Sequence, residues 1–491
     1  MNARAELSTL EASGLIEIAT LQPELEYLFR HALVQEAAYA TLLKQDRRSL
    51  HRAAAQTIQA LHPDRQRELA AVIGMHLELA GEGTAAAEYL LMAGEHALER
   101  YANREAIGFF MRAQELSDDR QVDLRLRVAI GSAQAGWAGS QPGADIERLE
   151  TAVDDTGAAD QRLVAKAYFW IAFLRRQRGE TPETSAALRA AIERTAQIGE
   201  ALRDPRTAAL PKALMGAFDA FTGNLRQGAR QMQEALDLIE SAVDALSLAQ
   251  LSNFLVLTYS RLGDFAAAEQ LLARAKALAR SVDAISRLDV DIAQAAIDVE
   301  RGDMAEASTR SLACAGRAED LGAYACVVAA TAMYGAATVA LDDPAPAKHS
   351  LQRGRDLSMV TNMAPMRTLI HGFLGAAMTR LGDVPGGVAE WEAALNNARA
   401  INDRYGEAQT LWARARANAR QPNPDPSAVL VDIDRAIELF EAMETRPSLA
   451  RALHDRAKAL RALGRAAEGD AAEQRSNALG EELGLRDMPF A

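Results

Sequence analysis

The chain has 491 residues, 49% of them hydrophobic but only 5% aromatic, and a formal net charge of −13. That acidic balance excludes nucleic acid as the main partner, because phosphate binding needs a basic footprint. Two cysteines, Cys314 and Cys326, exclude a disulfide framework and point to a reducing, cytoplasmic compartment, and the N-terminus carries Arg4 and Glu6 where a signal peptide needs an apolar run.

Residues 1–62 differ in kind from the rest. A short helix containing Leu7 and Leu10 is stopped at Gly14. Leu15-Ile16-Glu17-Ile18 then reads as a strand, Gln22-Pro23-Glu24 as its turn and Tyr27-Leu28-Phe29 as the return strand. A helix follows over about 32–43. A second, 47–61, places Leu50, Ala54, Ile58 and Leu61 on one face and is closed by Pro63. Helix, hairpin, helix is the latter part of a winged-helix module, so residues 1–62 are expected as a partial winged-helix head and 63–491 as a helical repeat array.

Residues 64–117 predict three helices, turning at Gly81–Gly83 and near Ala102-Asn103. The next hairpin turns around Gly139–Gly143. From there the pattern is regular, and Leu255–Ala275 shows why. Leu255, Val256, Tyr259 and Leu262 share one helical face, and Phe265, Ala268, Leu272 and Ala275 share another. Gly263 can end the first helix in the left-handed conformation and Asp264 can cap the second. A hairpin of this kind buries one face only and needs a neighbour on each side. Turns at positions 179, 223, 263, 302, 342 and 382 supply them at a step of about 40 residues, with further copies at Gly464 and in the segment Pro422–Pro426. Pro205 and Pro211 fall in the longest step, and the polar helix 466–483 reads as a cap. The uncharged stretch Leu321–Leu341 is rich in Ala, Thr, Gly and Val and keeps Tyr334-Gly335 in the repeat register, so it is expected as a buried helix rather than a membrane span.

These small-residue and aromatic positions resemble the tetratricopeptide repeat (TPR), whose common period is about 34 residues. The fold class expected is therefore all-α, a right-handed superhelical solenoid of about ten TPR-like hairpins of ~40 residues, with a small head containing a β-hairpin. A second resemblance covers residues 5 to about 116. Leu10-Glu-Ala-Ser-Gly-Leu-Ile16, Tyr27-Leu-Phe-Arg-His-Ala-Leu-Val-Gln-Glu-Ala-Ala-Tyr-Ala-Thr-Leu-Leu43, Arg47-Arg-Ser-Leu-His-Arg52, Met75-His-Leu-Glu-Leu-Ala-Gly81, Ala93-Gly-Glu-His-Ala-Leu98 and Ala102-Asn-Arg-Glu-Ala-Ile107 are similar to the region after the ATPase in bacterial signalling ATPases with TPR repeats. Some of these carry a class III nucleotidyl cyclase at the front. The resemblance implies the C-terminal part of a larger switch protein. The G-x-x-x-x-G-K-[ST] phosphate loop is absent from this sequence.

In that family a histidine at the start of the helix after the hairpin reaches the nucleotide β-phosphate, and Arg30-His31 matches the position. With no phosphate loop, the pair is expected as a relic rather than a cofactor site, and no cofactor is expected. Lys44, Arg47, Arg48 and Arg52 form a basic cluster that could dock an ATPase domain or an acidic partner; a solvated helix end is the plainer reading. The other histidines show no ligand spacing, so no metal site is expected, and no G-x-S-x-G elbow or catalytic pair stands out. Cys314 and Cys326 should pack as small hydrophobes, Trp137, Trp170, Trp391 and Trp412 as core. Asp303, Glu306 and Asp383 should serve as caps or first-turn charges. The expected function is a non-catalytic scaffold or sensor, the regulatory part of a signal-transduction ATPase, holding a protein or peptide in its concave groove, with an ATPase or cyclase domain at the head and no membrane or nucleic acid. The alternatives are the tail of a cyclase–ATPase signalling enzyme, or a fragment of a LuxR-type transcriptional regulator.

Overall fold

A computed structural model describes residues 3–20, 26–100, 102–137, 142–154, 156, 159–239, 245–282 and 284–487. The turn expected at Gln22-Pro23-Glu24, and most of that at 139–143, lie outside them. The chain divides into two compact units, 1–96 with 109–118, and 97–108 with 119–491. The division expected at 62/63 falls inside the first unit, between two of its helices.

The first unit contains α1 (Ala3–Ala12), β1 (Ile16–Thr20), β2 (Glu26–Phe29), α2 (Ala32–Thr41), α3 (Lys44–Leu61), α4 (Ala70–Ala80), most of α5 (Gly83–Glu99) and the second half of α6 (Asn103–Leu116). The strands pair antiparallel, Ile16 opposite Phe29 and Ile18 opposite Tyr27. The small core gathers Ala55, Ile73, Leu77 and Ala86, with Ile58 and Leu69 against it. Leu50 and Leu61, expected on the buried face of α3, are exposed, as are Leu28, Leu33 and Leu43. The helical period located the apolar stripe of α3, but within this unit only its Ala55–Ile58 edge is covered.

Among its described residues the second unit stacks nine hairpins: α7 (Val122–Gly136) with α8 (Pro142–Val153), α9 (Gln161–Gln177) with α10 (Ala186–Leu202), α11 (Pro205–Thr222) with α12 (Leu225–Ile239), α13 (Ala245–Leu262) with α14 (Phe265–Val282), and α15 (Ala284–Arg301) with α16 (Met304–Asp320). Then follow α17 (Tyr324–Leu341) with α18 (Pro344–Val360), α19 (Ala364–Arg380) with α20 (Val384–Ile401), α21 (Arg404–Ala419) with α22 (Pro426–Met443), and α23 (Arg446–Ala462) with α24 (Ala466–Leu483). Gly179, Gly223, Gly263, Gly302, Asp342, Gly382 and Gly464 all turn with positive φ, whereas α21 ends before the expected Pro422–Pro426 turn at Arg420 with φ −98°. The Asp264 carboxylate accepts from the Ala267 amide at 3.2 Å and that of Asp383 from Gly386 at 3.1 Å, so both cap as expected. Asp303 makes no cap bond; its carboxylate holds Arg486 at 3.0 Å instead.

Small residues set how closely each pair crosses. A Cβ on Gly228 would lie 2.5 Å from the Gly216 carbonyl oxygen and 2.6 Å from the Ala220 amide. The equivalent Gly387 would meet the Gly375 carbonyl at 2.8 Å. Backbone therefore packs on backbone, and large side chains fill the spaces beside the crossing: Trp170, Phe373 and Phe440 are fully buried. The Trp391 indole donates to the Gly372 carbonyl at 3.0 Å, which satisfies its one polar atom in the core. Cys314 and Cys326 are buried thiols, and burial pushes the Cys314 thiol up to about 12, an inert state. Among the described residues one helix, α17, is long and apolar enough to cross a membrane, but two-thirds of it (67%) is buried inside the protein.

The odd-numbered helices form the inner layer. They pack on one another from hairpin to hairpin, whereas the even-numbered ones pack on their odd neighbours. Winding is tight. α11 meets α21, and α13 and α15 both meet α23. Gly179 abuts Ile401, Gly223 abuts Met443 and Gly302 abuts Asp487, and Arg226 pairs with Glu444 at 2.6 Å across 218 residues of sequence. The turns of the earlier hairpins thus rest on the connections between later ones, about five hairpins further on.

Candidate functional site

The inner helices are lined by buried polar groups that the repeat pattern does not call for. At one end they are fully matched. The Arg451 guanidinium donates to the Asp487 carboxylate at 2.7 Å and to the Glu300 carbonyl at 3.0 Å. The Glu300 carboxylate accepts from the Tyr405 hydroxyl at 2.6 Å, and the Gln409 amide donates to that hydroxyl and to Ser448 Oγ, both at 2.9 Å. Burial raises the Glu300 carboxyl above its ordinary value, and it pushes the Tyr405 phenol up as well. This network joins α15, α21 and α23 and holds the superhelix closed.

Beside it lies a cavity of about 50 Å³ within a concavity of about 590 Å³ that includes open solvent, lined from α9, α11, α12, α13, α19 and α21. Among the described residues four arginines are buried: Arg416 holds Asp455 at 3.0 Å and Arg451 holds Asp487, but Arg176 and Arg261 form no ion pair. Both line this cavity. Arg176 is 5% exposed and its Nε has no hydrogen-bond partner. Its guanidinium faces three phenylalanine rings, with centroids at 5.7 Å (Phe218), 5.6 Å (Phe221) and 4.9 Å (Phe254). Each such contact contributes up to about 2 kcal/mol when desolvated, against several kcal/mol for taking the cation out of water. Burial accordingly lowers the Arg176 pKa to about 10, which still leaves it charged at neutral pH. Arg261 stacks on the Tyr405 ring at 3.7 Å, and its Nε is also without a partner. Asp403, which lines the same cavity, caps α21, accepting from the Gly406 amide at 2.8 Å; burial raises its carboxyl to about 6 although the Arg261 charge acts to lower it.

The sequence-predicted residues lie elsewhere, in the first unit. His31 precedes α2 and makes no side-chain cap bond, while Arg30 pairs with Glu17 at 3.2 Å. Lys44 is the first residue of α3. Arg47 donates to the Leu42 carbonyl at 2.9 Å and covers the Tyr39 ring. Arg48 lies against Gly81 and Arg52 pairs with Glu82. Three of the four basic side chains are thus engaged within their own unit. The histidines judged scattered include a contact the sequence hid: His51 Nδ1 lies 2.8 Å from His76 Nδ1, and the Tyr39 hydroxyl 2.9 Å from His51 Nε2. Among the described residues no group of three or more His, Cys, Asp or Glu could hold a metal ion.

Sequence reasoning missed Arg176 and Arg261. Each falls shortly before a turn glycine, where a basic residue ordinarily complements the helix dipole. The available signal was position, since both share the inner face of helices whose neighbouring residues are core.

The fold is an all-α superhelix of TPR-like hairpins. No family model matches the sequence and no curated protein matches it. Among solved structures it is similar to the APC/C hetero-tetramer Cut9-Hcn1 (13% identity, 91% of this chain and 88% of that one, TM-score 0.49). It is also similar to a Rap protein complexed with competence and sporulation factor (12%, 82% and 99%, TM-score 0.45). A third likeness is to a signal transduction ATPase with numerous domains and a TPR sensor from Pyrococcus horikoshii (12%, 99% and 60%, TM-score 0.31). At such identities and TM-scores these likenesses carry no conclusion about activity or ligand.

Proposed function

We propose that this chain is a non-catalytic, cytoplasmic binding module, a scaffold or sensor that takes a protein or peptide segment against the inner helices of its superhelix. The observation that carries this reading is the cavity beside Arg176 and Arg261. A stable protein rarely leaves two buried guanidiniums without carboxylates unless something else meets them. Preformed concave sites with an apolar lining and few, fixed polar groups suit binding. The exposed Leu28, Leu33, Leu43, Leu50 and Leu61 of the first unit support a further domain docking there, which would make the module the regulatory part of a signalling ATPase and residues 1–62 the remnant of a winged helix.

The test is a peptide-library selection on the full chain followed by calorimetric titration of the selected sequences. Saturable binding that a cavity-filling substitution at Met366 weakens is the expected result; selected peptides that bind the Met366→Trp protein equally well would refute the interior site. In a parallel assay, purified protein should release no phosphate from ATP above a buffer control.

A further inference from the structure

We infer that the cavity between α9, α13 and α21 is a site for a carboxylate carried on an apolar body, received by Arg176 with Arg261 beside it. The inference rests on the reading of the superhelix interior as a binding surface and adds the ligand's chemistry.

The charge pattern selects an anion. Arg176 and Arg261 both line the space, and the buried Nε of each meets no acceptor. Asp403, which also lines the cavity, acts on both guanidiniums through space but is bonded to the Gly406 amide at 2.8 Å and forms an ion pair with neither, so two cations face one carboxyl. A guanidinium donates in a planar fork that matches a carboxylate with two parallel bonds. The surroundings select the ligand's body. Phe221, Phe254, Leu257, Met366 and Leu369 supply the wall around the cations, so a densely hydrated anion such as phosphate would surrender its water to an apolar lining. A single carboxylate with an aromatic or branched aliphatic group beside it loses less and buries more. Two sources present this chemistry: the C-terminal residue of a peptide ending in Phe or Leu, and a free arylalkyl or aliphatic acid.

The experiment titrates the full chain calorimetrically with N-acetyl-Ala-Phe, with the same dipeptide as its C-terminal amide, and with 4-phenylbutyrate. Binding of the acid with the amide weaker by about tenfold or more is expected, because a charge-assisted pair is lost. Arg176→Met should abolish that difference while its thermal midpoint stays level or rises, since the substitution removes an unpaired buried cation; a residue with only a structural role would lower the midpoint. Should Arg176→Met fail to fold, Met366→Trp, which fills the cavity and leaves the arginine, should abolish binding. Equal affinity for acid and amide, or undiminished acid binding in both variants, overturns the proposal. Library peptides that bind with acid and amide alike would sink this inference and leave the interior-binding reading standing. Phenylbutyrate bound without any peptide would do the reverse.

Discussion

Asp403 illustrates what position does to one ionisable residue. Its carboxyl caps α21 by accepting from the Gly406 amide, which favours the charged form, yet burial outweighs that and lifts it from 3.8 to about 6. Between those two values the folded protein holds a proton that the unfolded chain has released. The contribution of this carboxyl to stability is therefore largest below about pH 4 and declines as pH rises toward 6. Asp403→Asn keeps an acceptor for the Gly406 amide and removes the titration. The difference in urea midpoint between parent and variant should change across pH 4–6 and be constant above about pH 7; a constant difference throughout would show that the carboxyl titrates normally. A second residue-scale expectation concerns Tyr405. Replacing it with Phe leaves the buried Glu300 carboxylate without the hydroxyl at 2.6 Å, at a cost of about 1–3 kcal/mol. Denaturant unfolding checks it, and a loss under ~0.5 kcal/mol would mean that Glu300 is already protonated or otherwise partnered.

Among the elements, hairpin turns with the same left-handed glycine are not equivalent. Gly302 and Gly464 both follow an inner helix with positive φ, 98° and 75°. A Cβ at Gly464 would meet nothing, whereas at Gly302 it would fall 2.7 Å from the Asp487 amide nitrogen. Alanine at either position incurs the left-handed penalty of about 1–2 kcal/mol. At Gly302 it must also displace backbone, adding about 1–3 kcal/mol. Chemical denaturation of the two variants should therefore separate them, Gly302→Ala being the less stable; equal midpoints would mean that the two edges do not touch in solution. The same comparison explains why Asp342 can replace glycine at its turn: its φ of 54° lies in the region that Asp tolerates, and its side chain is free to receive Arg380 at 2.9 Å.

In the whole second unit, stability is not a sum of neighbouring hairpins. The segment after α24 reaches back to α15 and α16: Arg486 donates to the Arg301 carbonyl at 2.8 Å and pairs with Asp303, while Asp487 holds the buried Arg451. Ending the chain at Leu483 removes Asp487 from the buried Arg451 and leaves it only Glu300 at 4.0 Å, a loss of up to about 3–5 kcal/mol by analogy with broken buried pairs. It should also accelerate amide hydrogen exchange at residues 299–303, roughly 180 residues away in sequence. An array whose hairpins stabilise only their sequence neighbours would show no change there, so exchange at that turn decides between an open and a closed superhelix.

Much of this protein was legible as a sequence because its determinants are local. The helical period of Leu255–Ala275, the glycine that ends a helix and the aspartate that begins the next each act within a few residues, and repetition at ~40 residues multiplies them into an unmistakable stack. The left-handed connections at Arg203, Asn362, Asn402 and Glu444 were not legible, since these residues adopt that conformation only where packing requires it. Nor was the binding site. Arg176 and Arg261 read as ordinary helix-end cations until superhelical winding brings hairpins some five units apart together and buries both guanidiniums without an ion-pair partner. Winding is the accumulated effect of small rotations at each hairpin contact, and it is set by side-chain packing between helices rather than by any one stretch of chain.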